Sequence, residues 1–107
     1  GLGGVIFARA DNEEVKKLED IVGKVISEGD VRDLGSAQLA HHYLFDKGID
    51  HLSQAKKVIF RGTDQTKIVM DVLNGVADVG FVATGVLEHM QQAAQLDLAA
   101  VKVLEAR

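Results

Sequence analysis

The stretch Val58–Met90, VIFRGTDQTKIVMDVLNGVADVGFVATGVLEHM, decides the fold that we predict for this chain. It contains two apolar runs, Val58–Phe60 and Ala77–Val82, and the second is apolar enough for a strand buried on both faces. Between the runs, apolar residues recur at the spacing of an amphipathic helix. A second helix is expected to begin at Thr84-Gly85. This strand–helix–strand–helix order requires parallel strands joined by right-handed crossovers.

The rest of the chain continues the alternation. Further strands are predicted at Gly4–Ala10, Lys24–Ser27 and Val101–Leu104, and further helices at Glu13–Val22 and from Gly35 to about Lys47. Ile49–Lys57 is expected to be a linker with room for one helical turn. The sequence therefore predicts an α/β domain: a three-layer sandwich with a mostly parallel sheet of about five strands, covered by helices on both faces.

Composition narrows the classes of function. The 107 residues suffice for one domain, and the net charge of −4 argues against a nucleic-acid partner. The chain contains no Cys, which excludes disulfides and thiolate metal sites. His41 and His42 point to different helix faces, and His51 and His89 are isolated in sequence, so neither a metal site nor a cofactor is predicted. No catalytic triad or pair of carboxylates is evident, and no enzymatic activity is predicted for this fragment.

Candidate ligand-binding residues follow from the predicted sheet. Ligands of such sheets bind beyond the carboxyl ends of the strands, where loops enter helix N-termini. Free backbone N–H groups and the positive end of the helix dipole then favour an anion. Arg32 and Arg61 are the nearest cations, and each is either a ligand partner or a solvated surface charge. The candidates, for which a helix-cap role is the alternative, are Gly35, Ser36, Ala37, Thr63, Asp64, Thr84 and Gly85.

Two longer segments resemble a known family. KLEDIVGKVISEGD, residues 17–30, and GTDQTKIVMDVLNGVADVGFVATGVLEHM, residues 62–90, are similar to successive segments of phosphonate-type periplasmic binding proteins. These proteins have the type II solute-binding fold, which consists of two α/β lobes with the ligand in the cleft between them. The resemblance covers roughly Gly4–Met90. The matching positions, in chain order, are Gly23-Lys24, Asn74-Gly75, Ala77-Asp78, Gly80, Gly85, Leu87 and Glu88.

The resemblance implies that residues 1–107 form a single lobe, the second one, excised from a larger two-lobe domain. It implies a small anionic solute, bound in a cleft shared with the missing first lobe, and a periplasmic location in a membrane-anchored or secreted bacterial protein. A surface that faces the missing lobe is expected to be apolar, which would allow a weak homodimer of the fragment.

The parent protein is interpreted in three ways. GVIFARADN and GSAQLAHHYLFDKGID look closer to sensor histidine kinases, so a ligand-sensing lobe of a two-component sensor is expected first. The alternative is the substrate-binding component of a phosphate- or phosphonate-type ABC transporter. Transporter components usually carry a D-P-x-S-x-S-G type of loop, whereas GDVRDLGSAQ lacks the Pro and keeps only Ser36 as a hydroxyl. A small stand-alone enzyme or interaction domain is the third interpretation.

Overall fold

The structure, a computed structural model, describes residues 3–29 and 42–106. Its strands are β1 (Gly4–Arg9), β2 (Val25–Glu28), β3 (Lys57–Phe60), β4 (Val79–Ala83) and β5 (Val101–Ala106). Its helices are α1 (described over residues 42–46), α2 (His51–Gln54), α3 (Gln65–Leu73) and α4 (Val86–Gln92), with 3-10 turns at Leu18–Ile21 and Leu98–Ala100. Within these two ranges, no helix combines the length and the apolar character needed to cross a membrane.

The five strands form one sheet in the order β3-β2-β4-β1-β5. Strand β2 pairs in parallel with both β3 and β4. Strand β1 is antiparallel to both of its neighbours, β4 and β5. Four of the five strands therefore run in one direction and β1 runs against them, which confirms the predicted mostly parallel sheet.

In the part of the chain that the structure describes, the core consists of two apolar clusters, one on each face of the sheet. Side chains alternate along the strands, so Ile6 and Phe81 join one cluster while Phe7 and Val82 join the other. Helix α1 and the first 3-10 turn cover the first face through Leu44 and other apolar residues. Helices α3 and α4 cover the second face with Ile68, Val69, Val72, Leu87 and Met90. This arrangement gives the three layers that the sequence predicts.

The predicted helix Glu13–Val22 is wrong, since only the 3-10 turn at Leu18–Ile21 forms there. One carboxylate oxygen of Asp20 accepts hydrogen bonds from the backbone N–H groups of Lys16 and Lys17, at 3.0 and 3.1 Å. Such local side-chain bonds compete with helical ones. Val15, Leu18 and Ile21 are nevertheless buried. The apolar spacing therefore identified the buried residues correctly and their backbone conformation incorrectly.

Candidate functional site

The carboxyl ends of β2, β3 and β4 lie at one edge of the sheet, which we call the carboxyl edge. Because β2 is parallel to both neighbours, Glu28, Phe60 and Ala83 end their strands on the same side. The loops that run into α3 and α4 therefore start from this edge, as expected. The candidates Gly35, Ser36 and Ala37 lie outside the described residues, and their role stays a prediction.

The structure brings the other four candidates to this edge. Thr63 and Asp64 precede α3, Thr84 and Gly85 precede α4, and all four are exposed. A side-chain contact joins the two loops, because Gln65 Oε1 accepts a hydrogen bond of 2.7 Å from the N–H of Ala83.

Gln65 reaches Ala83 across the end of β2. The N–H of Thr84 donates to the Gly3 carbonyl at 3.0 Å, on the β1 side of β4. Neighbouring N–H groups of a strand point to opposite sides. The N–H group of Ala83 therefore points toward β2, and there it donates to the Gln65 side chain. Sequence reasoning missed Gln65, and an isolated glutamine at the start of a helix offers no signal that would identify it.

Asp64 and Gly85 both have local structural roles. Asp64 is the N-cap of α3, and its side chain accepts a 3.0 Å hydrogen bond from the N–H of Lys67, so the helix-cap interpretation is confirmed. Gly85 is the N-cap of α4 with a φ of +93°, a left-handed conformation that favours glycine. A Cβ added at Gly85 would meet no atom within 4 Å. The backbone conformation, and not crowding within the chain, therefore explains this glycine.

Arg61 binds within the protein, so it is not a solvated surface charge. Its Nε donates to Asp71 Oδ2 at 2.7 Å and its Nη2 to Asp71 Oδ1 at 3.0 Å. Ser27 donates its hydroxyl to the same Oδ2 at 2.9 Å. Burial of Asp71 favours its neutral form, but the hydrogen bonds from Arg61 and Ser27 outweigh burial and lower the pKa of Asp71 below its ordinary value.

His51 is not isolated in the fold. Its Nε2 lies 3.2 Å from Oε1 of Glu28, the last residue of β2, and both side chains are almost fully buried. The His51 ring also packs against Phe81, with ring centroids 5.0 Å apart. The pair ties α2 to the sheet immediately below the carboxyl edge. Since 23 residues separate the two partners, no local pattern predicts it.

Other features lie away from the carboxyl edge. A cavity of about 200 Å³ at the opposite edge is lined by Arg9, Asp11, Asn12, Val72, Gly75, Ala77 and Asp78. Asp78 accepts a 2.9 Å hydrogen bond from the N–H of Val25, at the start of β2. Over residues 3–29 and 42–106, no three His, Asp or Glu side chains are grouped so as to hold a metal ion.

A comparison with protein families identifies one family. Residues 1–106 match the family of periplasmic substrate-binding proteins of phosphonate ABC transporters. A sequence comparison with curated proteins gives no match.

Solved structures give the same fold. The binding protein of an ABC phosphonate transporter from Pseudomonas aeruginosa superposes with a TM-score of 0.80 at 18% identity, over 99% of this chain and 36% of its own. The periplasmic aliphatic sulphonate binding protein from Escherichia coli superposes with a TM-score of 0.69 at 15% identity, over 97% of this chain and 32% of its own. A histidine kinase sensor domain with similarity to periplasmic binding proteins superposes with a TM-score of 0.61 at 20% identity, over 96% of this chain and 39% of its own. This chain thus spans between about a third and two fifths of each of them.

Proposed function

Because the chain belongs to the family of periplasmic substrate-binding proteins of phosphonate ABC transporters, we propose that it is one lobe of a two-lobe domain and binds a small anionic solute at its carboxyl edge. The family implies an extracytoplasmic location, and its members are solute-binding proteins rather than enzymes.

One observation carries the proposal: the first and last strands both connect to the carboxyl edge. Gly4, at the start of β1, pairs with Ala83, and Ala106, at the end of β5, pairs with Val5. A first lobe joined to the chain through these two strand ends would lie over the loops that carry Thr63 and Thr84. A solute held there would contact both lobes, and its binding would favour closure of the cleft.

The chemistry of the edge suits an oxyanion. Helix α3 has nine residues, and its N-terminus faces the edge, where the positive end of the helix dipole favours negative charge. The hydroxyl-bearing residues Thr63 and Thr84 are exposed beside it. The Asp64 carboxylate caps the same helix and reduces the net positive potential. We therefore expect hydrogen-bond donors, more than side-chain cations, to hold the solute.

We propose a two-component sensor histidine kinase, anchored in the membrane, as the parent protein. The likeness to a histidine kinase sensor domain supports this assignment. The family itself favours the alternative, the substrate-binding component of an ABC transporter. The parent sequence separates them: a transmembrane helix followed by a kinase core after Arg107 indicates a sensor, whereas a secretion signal without a kinase core indicates a transporter component.

An NMR titration of the ¹⁵N-labelled chain tests the binding site. Methylphosphonate, methanesulfonate and inorganic phosphate would each be added to about 50 mM, because a half-site predicts millimolar affinity. We expect the amide signals of Thr63, Asp64, Thr84 and Gly85 to shift saturably. Sodium chloride at matched ionic strength should not reproduce the shifts, and Thr63→Val, which removes one hydroxyl, should weaken them. Saturable shifts confined to the opposite edge, around Arg9, would contradict the proposal.

A further inference from the structure

We infer that Arg61, Asp71 and Ser27 form a positioning clamp that fixes the loop between β3 and α3 in the shape that presents Thr63 and Asp64 at the carboxyl edge. The inference rests on the proposed function for its purpose, because it concerns the loop that would contact the solute. Its structural basis is independent of any solute.

The clamp fastens the start of the loop to three elements. The backbone N–H of Arg61 donates to the Glu28 carbonyl at 2.8 Å, which extends the pairing of β3 with β2 by one residue. The Arg61 side chain then binds both carboxylate oxygens of Asp71 in α3. Asp71 is 3% exposed, and the hydroxyl of Ser27 in β2 holds one of the same oxygens. The first loop residue is thus connected to β2, β3 and α3.

Two further contacts fasten the end of the loop. Asp64 caps α3 through the N–H of Lys67, and Gln65 holds the N–H of Ala83 in β4. Between the two sets of contacts lie Gly62, with a φ of +60°, and Thr63. The N–H of Asp64 donates to the Arg61 carbonyl at 3.0 Å and closes a turn around these two residues. Release of the Arg61 side chain would let Arg61 and this turn move together, because Gly62 can adopt either sign of φ. The clamp therefore controls where the Thr63 hydroxyl points.

A bidentate ion pair fits this purpose better than an apolar contact does. Apolar residues can hold a helix on a sheet at least as firmly as a buried ion pair. The two parallel N–H···O bonds of an arginine–carboxylate pair also fix direction and distance. Because Asp71 is buried, that geometry is shielded from water, and the loop is pre-organised before a solute arrives.

Amide hydrogen exchange of the ¹⁵N-labelled chain tests the clamp without a solute. The N–H of Ala83 reports on the loop, because its partner is the Gln65 side chain rather than a strand, and the N–H of Phe81 reports on the core. Arg61→Lys keeps the charge and loses the bidentate geometry. We expect it to accelerate exchange at Ala83 about tenfold beyond any change at Phe81. Ser27→Ala, a milder change, should act in the same direction with a smaller effect.

A matched control uses the second bidentate pair of the described residues. Arg9 binds Asp11 through Nε at 2.8 Å and Nη2 at 2.7 Å, at the opposite edge. Arg9→Lys should leave the exchange of Ala83 unchanged. If Ala83 and Phe81 exchange faster by the same factor in both Arg61→Lys and Ser27→Ala, the three residues only stabilise the fold and the inference is overturned.

Titration with methylphosphonate then tests the purpose of the clamp. If the wild-type chain binds methylphosphonate, we expect Arg61→Lys to weaken that binding at least fivefold. An Arg61→Lys variant with unchanged affinity for methylphosphonate but faster exchange at Ala83 would overturn the link between the clamp and the solute. A wild-type chain that fails to bind any tested oxyanion contradicts the proposed function. The exchange data would still decide whether the clamp exists.

Discussion

Gly80 shows how tightly one residue of the sheet is packed. It lies in β4, where an added Cβ would stand 2.6 Å from Phe7 Cε1 and 3.0 Å from Val72 Cγ2. Gly80→Ala therefore forces the Phe7 ring or α3 to move. We expect the free energy of unfolding to fall by about 1–3 kcal/mol, as measured by urea denaturation.

A double-mutant cycle gives the control for this prediction. Phe7→Leu destabilises the chain on its own, but it leaves room for the added methyl group. Gly80→Ala should therefore cost less in the Phe7→Leu background than in the wild type. Equal costs in the two backgrounds would show that the loss comes from something other than the contact with the ring.

Asp71 makes stability depend on pH in a defined direction. Its pKa is lowered in the folded state, so its contribution is complete above the unfolded pKa of about 3.9 and is lost as the pH falls through the folded value. Asp71→Asn removes this proton uptake. The free energy of unfolding, measured from pH 6 down to pH 2, should then decrease less steeply than in the wild type, and Ser27→Ala should give an intermediate slope. An unchanged acid limb in Asp71→Asn would contradict this assignment.

At the residue scale, sequence reasoning succeeded where a role depends on near neighbours. The cap at Asp64 and the glycine at position 85 follow from turn and helix-end preferences that act over a few residues. It failed for Arg61 and His51, whose partners are 10 and 23 residues away. Such pairs form only once the sheet order brings two elements together, and no periodicity in the sequence encodes them.

At the scale of elements, the Glu28–His51 pair connects α2 to the end of β2. Removing one partner leaves the other polar group buried without that contact. Losing such a buried contact costs more free energy than losing a contact between exposed side chains. We expect His51→Ala to lower the free energy of unfolding by about 3 kcal/mol. Leu52→Ala, on the same short helix but 45% exposed, should cost less than about 1 kcal/mol. Similar losses in the two variants would mean that the pair contributes little to holding α2.

The predicted elements differ in how far the sequence could determine them. Strand β4, predicted at Ala77–Val82, is observed at Val79–Ala83, and helix α3 lies between the two apolar runs as predicted, because a buried strand and an amphipathic helix both leave local signals. The segment around Glu13–Val22 has helical spacing but a different backbone, since the Asp20 carboxylate captures two N–H groups. The antiparallel direction of β1 depends on pairing between residues that lie far apart in the chain, such as Gly4 with Ala83.

At the scale of the whole molecule, the fold concentrates its connections at one edge. The start of β1, the end of β5 and the loops before α3 and α4 all lie there. In a sheet of this order, the proposed second lobe would attach beside the candidate site. The same geometry explains why the grouping of the candidates Thr63, Asp64, Thr84 and Gly85 at one edge could be predicted: parallel strands place their ends together whatever side chains they carry.

By itself, the chain should bind a solute only weakly. If the proposed half-site is right, a solute at the carboxyl edge would contact only part of its binding site, and this chain alone would have no second lobe to close over it. We expect at best millimolar affinity for methylphosphonate or phosphate, about −4 kcal/mol. The proposed two-lobe parent should bind its own solute much more tightly, because the second lobe adds contacts and excludes water. Isothermal calorimetry on both proteins measures the difference. Micromolar binding by this chain alone would mean that its site is complete, and the half-site proposal would then fail.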